Sequence, residues 1–353
     1  MRQAQGGRQN LLRPVTQASI YGCSGPRLTA EEAAFFRDAQ PWGFILFRRN
    51  VEDPDQVRAL VADLRAMVGR ADAPVLIDQE GGRVQRLGPP HWPRYPNGGA
   101  YGRVAGGGAR RRAITWLGAR LMAHDLAALG INVDCVPVLD VPQPGAHDVI
   151  GDRAYGATVQ IVSSLGRAAS EGLIAGGVLP VIKHIPGHGR AGADSHLSLP
   201  VVDADLATLQ AVDFAPFRAL SDMPLAMTAH VVYRAVDPDA PATTSRKAIA
   251  EVIRGSIGFD GLLMSDDLSM EALSGTLTER AERSMAAGCD LVLHCNGRMD
   301  EMAAVAAGAR TLEGRGAERA CAALARLPKV AEPFDAAAGR AELEAALAGI
   351  WPA

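Results

Sequence analysis

Val178-Leu179-Pro180-Val181-Ile182-Lys183-His184-Ile185-Pro186-Gly187-His188-Gly189 begins as an apolar run and ends in lysine, histidines, proline and glycine. The first half has the length and continuity of a strand buried on both faces. The second half is a polar loop. A helical pattern over Thr158–Ala175 precedes the run, which makes a helix–strand–loop unit.

The same unit recurs along the chain. Apolar runs at Ala18-Ser19-Ile20-Tyr21-Gly22, Trp42-Gly43-Phe44-Ile45-Leu46-Phe47, Pro74-Val75-Leu76-Ile77-Asp78 and Ile131-Asn132-Val133-Asp134-Cys135-Val136 read as earlier strands. Pro224-Leu225-Ala226-Met227-Thr228, Gly261-Leu262-Leu263-Met264-Ser265 and Asp290-Leu291-Val292-Leu293-His294 complete eight. Thr29, with Glu32 three residues on, marks one intervening helix start, and Asp53-Pro54 marks another; a long helix is expected near Arg111–Leu129. Eight alternating units suit an α/β fold of the closed (β/α)8 type, a TIM barrel, better than an open doubly wound sheet. The expected organisation is a flexible arm at 1–14, a barrel at 15–298 and C-terminal helices at 299–353 packed outside it.

Composition narrows the classes. Hydrophobic residues make up 48% of the 353-residue chain and charged residues 21%, the profile of a globular protein with a sizeable core. Net charge is −3 with no basic or acidic half, so nothing argues for nucleic acid or a membrane surface as partner. The first residues are polar rather than a signal-peptide core. Five scattered cysteines without a CxxC pair read as free thiols of a reducing compartment. A cytoplasmic protein is expected, a monomer or weak oligomer.

Polar residues fall where such a barrel would use them. Asp78, Asp140, Lys183-His184, His230, Asp266 and His294-Cys295-Asn296 each stand at or just past a strand's C-terminal end. In a barrel those ends share the face that carries active sites. Asp266 follows Ser265 directly, where a carboxylate on a rigid strand tip can serve as nucleophile or metal ligand; of Asp266 and Asp267, one can cap the next helix while Asp266 faces the mouth. Asp194 and His196 are two apart, so an extended backbone points both to one side. A carboxylate beside an imidazole would let His196 give up a proton near neutral pH and later take one back, although such a spacing taken alone also describes a surface pair.

A zinc site at His184, His188, Asp194 and His196 is the competing reading of the loop. Pro186-Gly187 breaks the helix that an i, i+4 histidine pair needs, and no cysteine is near. No metal and no cofactor are expected. Gly81-Gly82 suggests a tight turn beside a ligand, and Gly106-Gly107-Gly108 lacks the spacing and context of a dinucleotide loop. Arg83, Arg86 and Arg153 read locally as either ligand contacts or solvated charges.

Three motifs then carry a resemblance. Ile77-Asp78-Gln79-Glu80-Gly81-Gly82-Arg83-Val84-Gln85-Arg86, the segment from Lys183 to His196, and Ser265-Asp266-Asp267-Leu268-Ser269-Met270 resemble glycoside hydrolase family 3. The likeness is to its compact bacterial β-N-acetylglucosaminidase branch, which acts in peptidoglycan recycling. Ile185, where the branch usually has an aromatic residue, and Asp152-Arg153-Ala154, where Glu-Arg-Ser is common, depart mildly. The resemblance implies Asp266 as nucleophile, His196 as acid/base with Asp194 as its partner, and Asp78, Arg86, Arg153, Lys183 and His184 as sugar-binding residues. It implies a retaining exo-enzyme that removes terminal N-acetylglucosamine from muropeptide fragments. The alternatives are a β-glucosidase or β-xylosidase of the same family, a non-catalytic glycan-binding sensor, and a metal-dependent hydrolase.

Overall fold

All eight expected strands form, and they close into one parallel barrel in chain order. The computed structural model describes residues 16–195, 198–328 and 331–351; the arm expected at 1–14 and His196 lie outside them. The strands are β1 (Gln17–Gly22), β2 (Pro41–Leu46), β3 (Val75–Ile77), β4 (Val133–Asp134), β5 (Leu179–Ile185), β6 (Leu225–Thr228), β7 (Leu262–Asp267) and β8 (Leu291–His294). Pairing of Ser19 with Val292 and of Tyr21 with His294 joins the last strand to the first.

Local chemistry explains the elements. Thr29 and Glu32 form the expected reciprocal cap on helix Ala30–Ala39. Asp53 caps helix Pro54–Val68, whose Val57, Leu60, Val61, Leu64 and Val68 bury one stripe at helical spacing. The regular ladder of β4 is shorter than the expected 131–136 run. Pro137 has no N–H to donate, yet its carbonyl still accepts from Lys183 N at 3.1 Å. Inside the barrel, Leu76, Val181, Leu225, Leu262 and Leu291 share one buried cluster, and the helices form the outer ring.

After β8 come helices Met299–Gly308, Gly314–Leu324 and Ala336–Leu347. Leu343 and Leu347 of the last join Leu117 and Leu121 of helix Gly107–Ala127 in one apolar cluster. Arg319 binds Asp290 (3.0 Å) and Asp260 (2.7 Å) at the strands' N-terminal side. All five cysteines are free, with Cys23, Cys135 and Cys289 buried. No helix among the described residues is long and apolar enough to cross a membrane.

Candidate active site

The C-terminal ends of the strands surround a small, partly open cavity of about 190 Å³. Asp78, Arg86, Arg153, Lys183, His184 and Asp266 all line it. Asp194 is not among the lining residues, but its neighbour Ser195 is. Asp140, His230 and His294 lie behind the wall rather than in it, so the count of strand-end polar residues overstates the site.

Two irregularities in the barrel aim the central side chains. Between β5 and β6 the register runs from Lys183 opposite Met227 to Ile185 opposite Thr228, which leaves His184 as an extra residue. Between β7 and β8 it runs from Met264 opposite Leu291 to Asp267 opposite Leu293, again one residue too many. Such bulges gather at barrel rims and re-aim side chains. Ser265 repairs the second ladder, its Oγ accepting the Leu293 N–H at 2.9 Å. Asp266 is thereby free to face the cavity. Asp267 accepts from the Ser269 hydroxyl (2.6 Å) and the Ser269 and Cys295 amides (3.1 and 3.2 Å). It caps a turn, not the helix expected there; that helix starts later, capped by Thr276.

Charges alternate along one wall. Lys183 Nζ contacts Asp78 at 2.8 Å and Glu80 at 2.7 Å. Arg153 binds Glu80 through two 2.8 Å bonds, and Arg86 reaches Asp78 at 3.1 Å. Burial alone would push both carboxyls up. Lys183 with Arg86 outweighs it at Asp78, and Arg153 with Lys183 lowers Glu80 to about 2. Burial acts in the opposite sense on Lys183, yet Asp78 and Glu80 hold its ammonium charged well beyond the usual range. Asp78, Glu80 and Lys183 are therefore fixed charges at neutral pH. Arg86, Arg153 and Lys183 against Asp78 and Glu80 leave one excess positive charge, which an anionic Asp266 balances.

Asp266 differs from those carboxylates. Among the described residues no lysine or arginine binds it, and its one hydrogen bond comes from the Asp267 amide at 2.8 Å. Burial raises its carboxyl; the His230 and His184 imidazoles, the Asp267 amide and Lys183 more than reverse this and keep it below the ordinary value. It is an ionised oxygen facing open space. His230 supports it from behind: its Nε2 donates to the Asp267 carbonyl (3.0 Å) and its Nδ1 meets the Thr243 hydroxyl (2.7 Å).

The polar loop after β5 is fastened at its stem. Asp140 accepts the His188 N–H at 2.6 Å, Tyr233 donates to the Gly187 carbonyl at 2.8 Å, and Gln143 N donates to Gly189 O at 3.1 Å. At Gly189 a Cβ would collide with the Val141 backbone, so the stem accepts only glycine there. Among the described residues no cluster of three or more His, Cys, Asp or Glu is arranged to hold a metal ion.

Residues 11–327 match the glycosyl hydrolase family 3 N terminal domain. The chain belongs to glycosyl hydrolase family 3. It is a glycoside hydrolase, and several of its relatives are close to it in size. A β-hexosaminidase of Alkalilimnicola ehrlichii is 41% identical over 282 residues, 78% of this chain and 80% of that protein. One from Methylococcus capsulatus is 40% identical over 283 residues, 78% of this chain and 82% of its own. The crystal structure of native NagZ from Neisseria gonorrhoeae superposes with a TM-score of 0.82 at 34% identity, over 96% of this chain and 98% of that one.

Within this family 3 site, sequence reasoning gave Glu80 no role, named Asp140 only as a strand-end carboxylate and placed His188 only in the competing zinc reading. Glu80 was legible in principle, since it lies two residues from Asp78 and so on the same side of an extended segment. Gly81, at φ 88°, then turns the chain where a Cβ would strike the Pro96 carbonyl. Arg83, by contrast, turns to the rim, 3.3 Å from Asp152 and bonded to the Asp148 and Val149 carbonyls.

Proposed function

We propose that this hydrolase is a retaining exo-β-N-acetylglucosaminidase that releases terminal N-acetylglucosamine from muropeptide fragments in the cytoplasm. The observation that carries the reading is Asp266, an anionic carboxylate without a cationic partner among the described residues, on a bulged strand tip facing the cavity. Of the other carboxylates lining the cavity, Asp78 and Glu80 are neutralised by lysine or arginine, and Asp267 is taken up by the Ser269 hydroxyl and the Ser269 and Cys295 amides. That contrast suits one group to attack carbon and the others to hold hydroxyls.

Asp266 attacks the anomeric carbon while His196 protonates the departing glycosidic oxygen, so the C–O bond breaks as the bond to Asp266 forms. His196, now a base, removes a proton from water, which displaces Asp266 and restores the sugar with retained configuration. Asp194 stabilises the imidazolium between the two steps. Asp78, Arg86, Arg153, Lys183 and His184 hold the sugar, and the charges of the first four need no reorganisation during the reaction. The relatives named β-hexosaminidase support the N-acetylated sugar over glucose or xylose.

The test is a panel of aryl β-glycosides with wild type and Asp266→Asn. Turnover of the N-acetylglucosaminide, lost in the variant, is expected. Faster turnover of the glucoside or xyloside would replace the substrate, saturable binding without turnover would favour a sensor, and loss of activity in EDTA would favour a metal-dependent reaction.

A further inference from the structure

We propose that Asp140 is a positioning residue for the sugar-binding site: its carboxylate holds His184 as the Nδ1–H tautomer and leaves the Nε2 lone pair to accept a sugar hydroxyl. This rests on the reading of His184 as a sugar contact.

Asp140 is wholly buried behind the cavity wall and touches no part of the cavity. Both of its oxygens are spent. Oδ2 lies 2.7 Å from His184 Nδ1, while Oδ1 accepts the His188 amide at 2.6 Å and the His184 amide at 3.3 Å. An ionised carboxylate can only accept, so the nitrogen facing Oδ2 must carry the proton. Burial would push Asp140 up, but His184 and the His188 contacts hold its carboxyl below the usual range, so the acceptor persists at neutral pH. His184 Nε2 has no hydrogen-bond partner among the described residues, and His184 lines the cavity. The two backbone amides fix the carboxylate's rotation as well, tying the bulge at His184 to the stem of the loop that bears Asp194 and His196.

Those same amides predict what Asp140→Asn does. The amide oxygen must take the Oδ1 position to receive the two N–H groups, which puts the side-chain NH₂ opposite His184 Nδ1. That NH₂ donates, and the imidazole has to bring a lone pair to Nδ1 and move its proton to Nε2. A sugar hydroxyl would then meet a donor where it needs an acceptor.

The experiment is a ¹⁵N–¹H correlation on histidine-labelled full-length enzyme without ligand, at neutral pH, with wild type and Asp140→Asn. Wild type is expected to show His184 protonated on Nδ1 with Nε2 bare, and the variant the reverse. In the wild type, a proton on Nε2, alone or together with one on Nδ1, overturns the proposal even if the variant fails to fold. On aryl N-acetylglucosaminide, Asp140→Asn is expected to lower kcat/KM about 10- to 100-fold, the worth of a lost hydrogen bond to a charged or fixed partner. The same substitution in a His184→Ala background should then cost little, since Asp140 acts through that ring. Equal losses in both backgrounds overturn it. If the wild type does not cleave N-acetylglucosaminides, the substrate assignment fails, while the nitrogen spectra of free enzyme still judge Asp140.

Discussion

Lys183 Nζ sits 2.7 Å from the Glu80 carboxylate, with 3% of the lysine side chain and 5% of the glutamate side chain exposed. Glu80 also binds Arg153 through both oxygens. One buried carboxylate therefore sets the spacing of two cations on the sugar-binding wall, although it was not itself expected to contact sugar. A buried ion pair adds little net stability, whereas removing one partner leaves a desolvated charge behind.

Glu80→Gln keeps the size and removes the charge from this arrangement. Lys183 retains Asp78, so the expected loss is at or below the low end for a broken buried pair, about 3 kcal/mol, read by urea unfolding at pH 7. Because Lys183 and Arg153 would shift, KM for an aryl N-acetylglucosaminide should rise more than kcat falls. A variant as stable as wild type with unchanged KM would remove Glu80 from the site.

Asp266→Ala is expected to abolish turnover in a folded protein, since the other cavity carboxylates are occupied, Asp78 and Glu80 by lysine and arginine and Asp267 by Ser269 and the Cys295 amide. A 2-fluoro or 5-fluoro glycoside should accumulate as an ester on Asp266, seen by peptide mass spectrometry after digestion. An adduct on Asp78, Glu80 or Asp267 would reassign the nucleophile.

His196→Ala should slow natural substrates by roughly 10²–10⁴-fold, the usual worth of general acid–base help. Aryl glycosides with good leaving groups need little protonation, so their glycosylation step should suffer much less. A uniform loss across leaving groups would point to a binding role instead.

The barrel was legible because buried parallel strands are written as uninterrupted apolar runs, and eight of them alternate with helices. Helix starts at Thr29 and Asp53 were legible because caps are local chemistry. Asp78, Lys183, His184 and Asp266 were legible as strand-end residues, and family motifs added Arg86 and Arg153. Other features depend on partners far along the chain. Asp140 meets His184 across 44 positions and Glu80 meets Arg153 across 73. No period or spacing encodes such pairs. The bulges at His184 and Asp266 were equally hidden, since register is a property of two strands together. The same distance effect removed His230 and His294 from the cavity: a strand-end histidine looks alike whether it faces substrate or, as His230 does, a neighbouring carbonyl.

His188 gives the last prediction, a pH dependence of stability rather than of rate. Its ring is buried, Nδ1 has no hydrogen-bond partner among the described residues, and Nε2 meets the Ser195 hydroxyl at 3.2 Å. Burial lowers the imidazole to about 4 and outweighs the opposing pull of Asp140, with nearby His184 adding to the depression and Asp266 resisting it. Between about pH 6.5 and 4 the unfolded chain therefore binds a proton at this residue that the folded protein refuses. Stability from this group is full above pH 6.5 and falls as pH drops through the window, by on the order of 3 kcal/mol. Asp78 and Glu80, both lowered in the fold, lose their contributions mainly below that window. Asp134, whose carboxyl burial pushes up, acts in the opposite sense across it, losing stability as pH rises. Wild type alone would thus show a blend, and the comparison that isolates His188 is with His188→Gln. Urea unfolding from pH 7 to pH 4 should show the wild type losing more stability than the variant by roughly 3 kcal/mol. Parallel curves would mean that the folded ring takes up its proton over the same pH range as the unfolded chain, so that burial does not exclude the proton from His188.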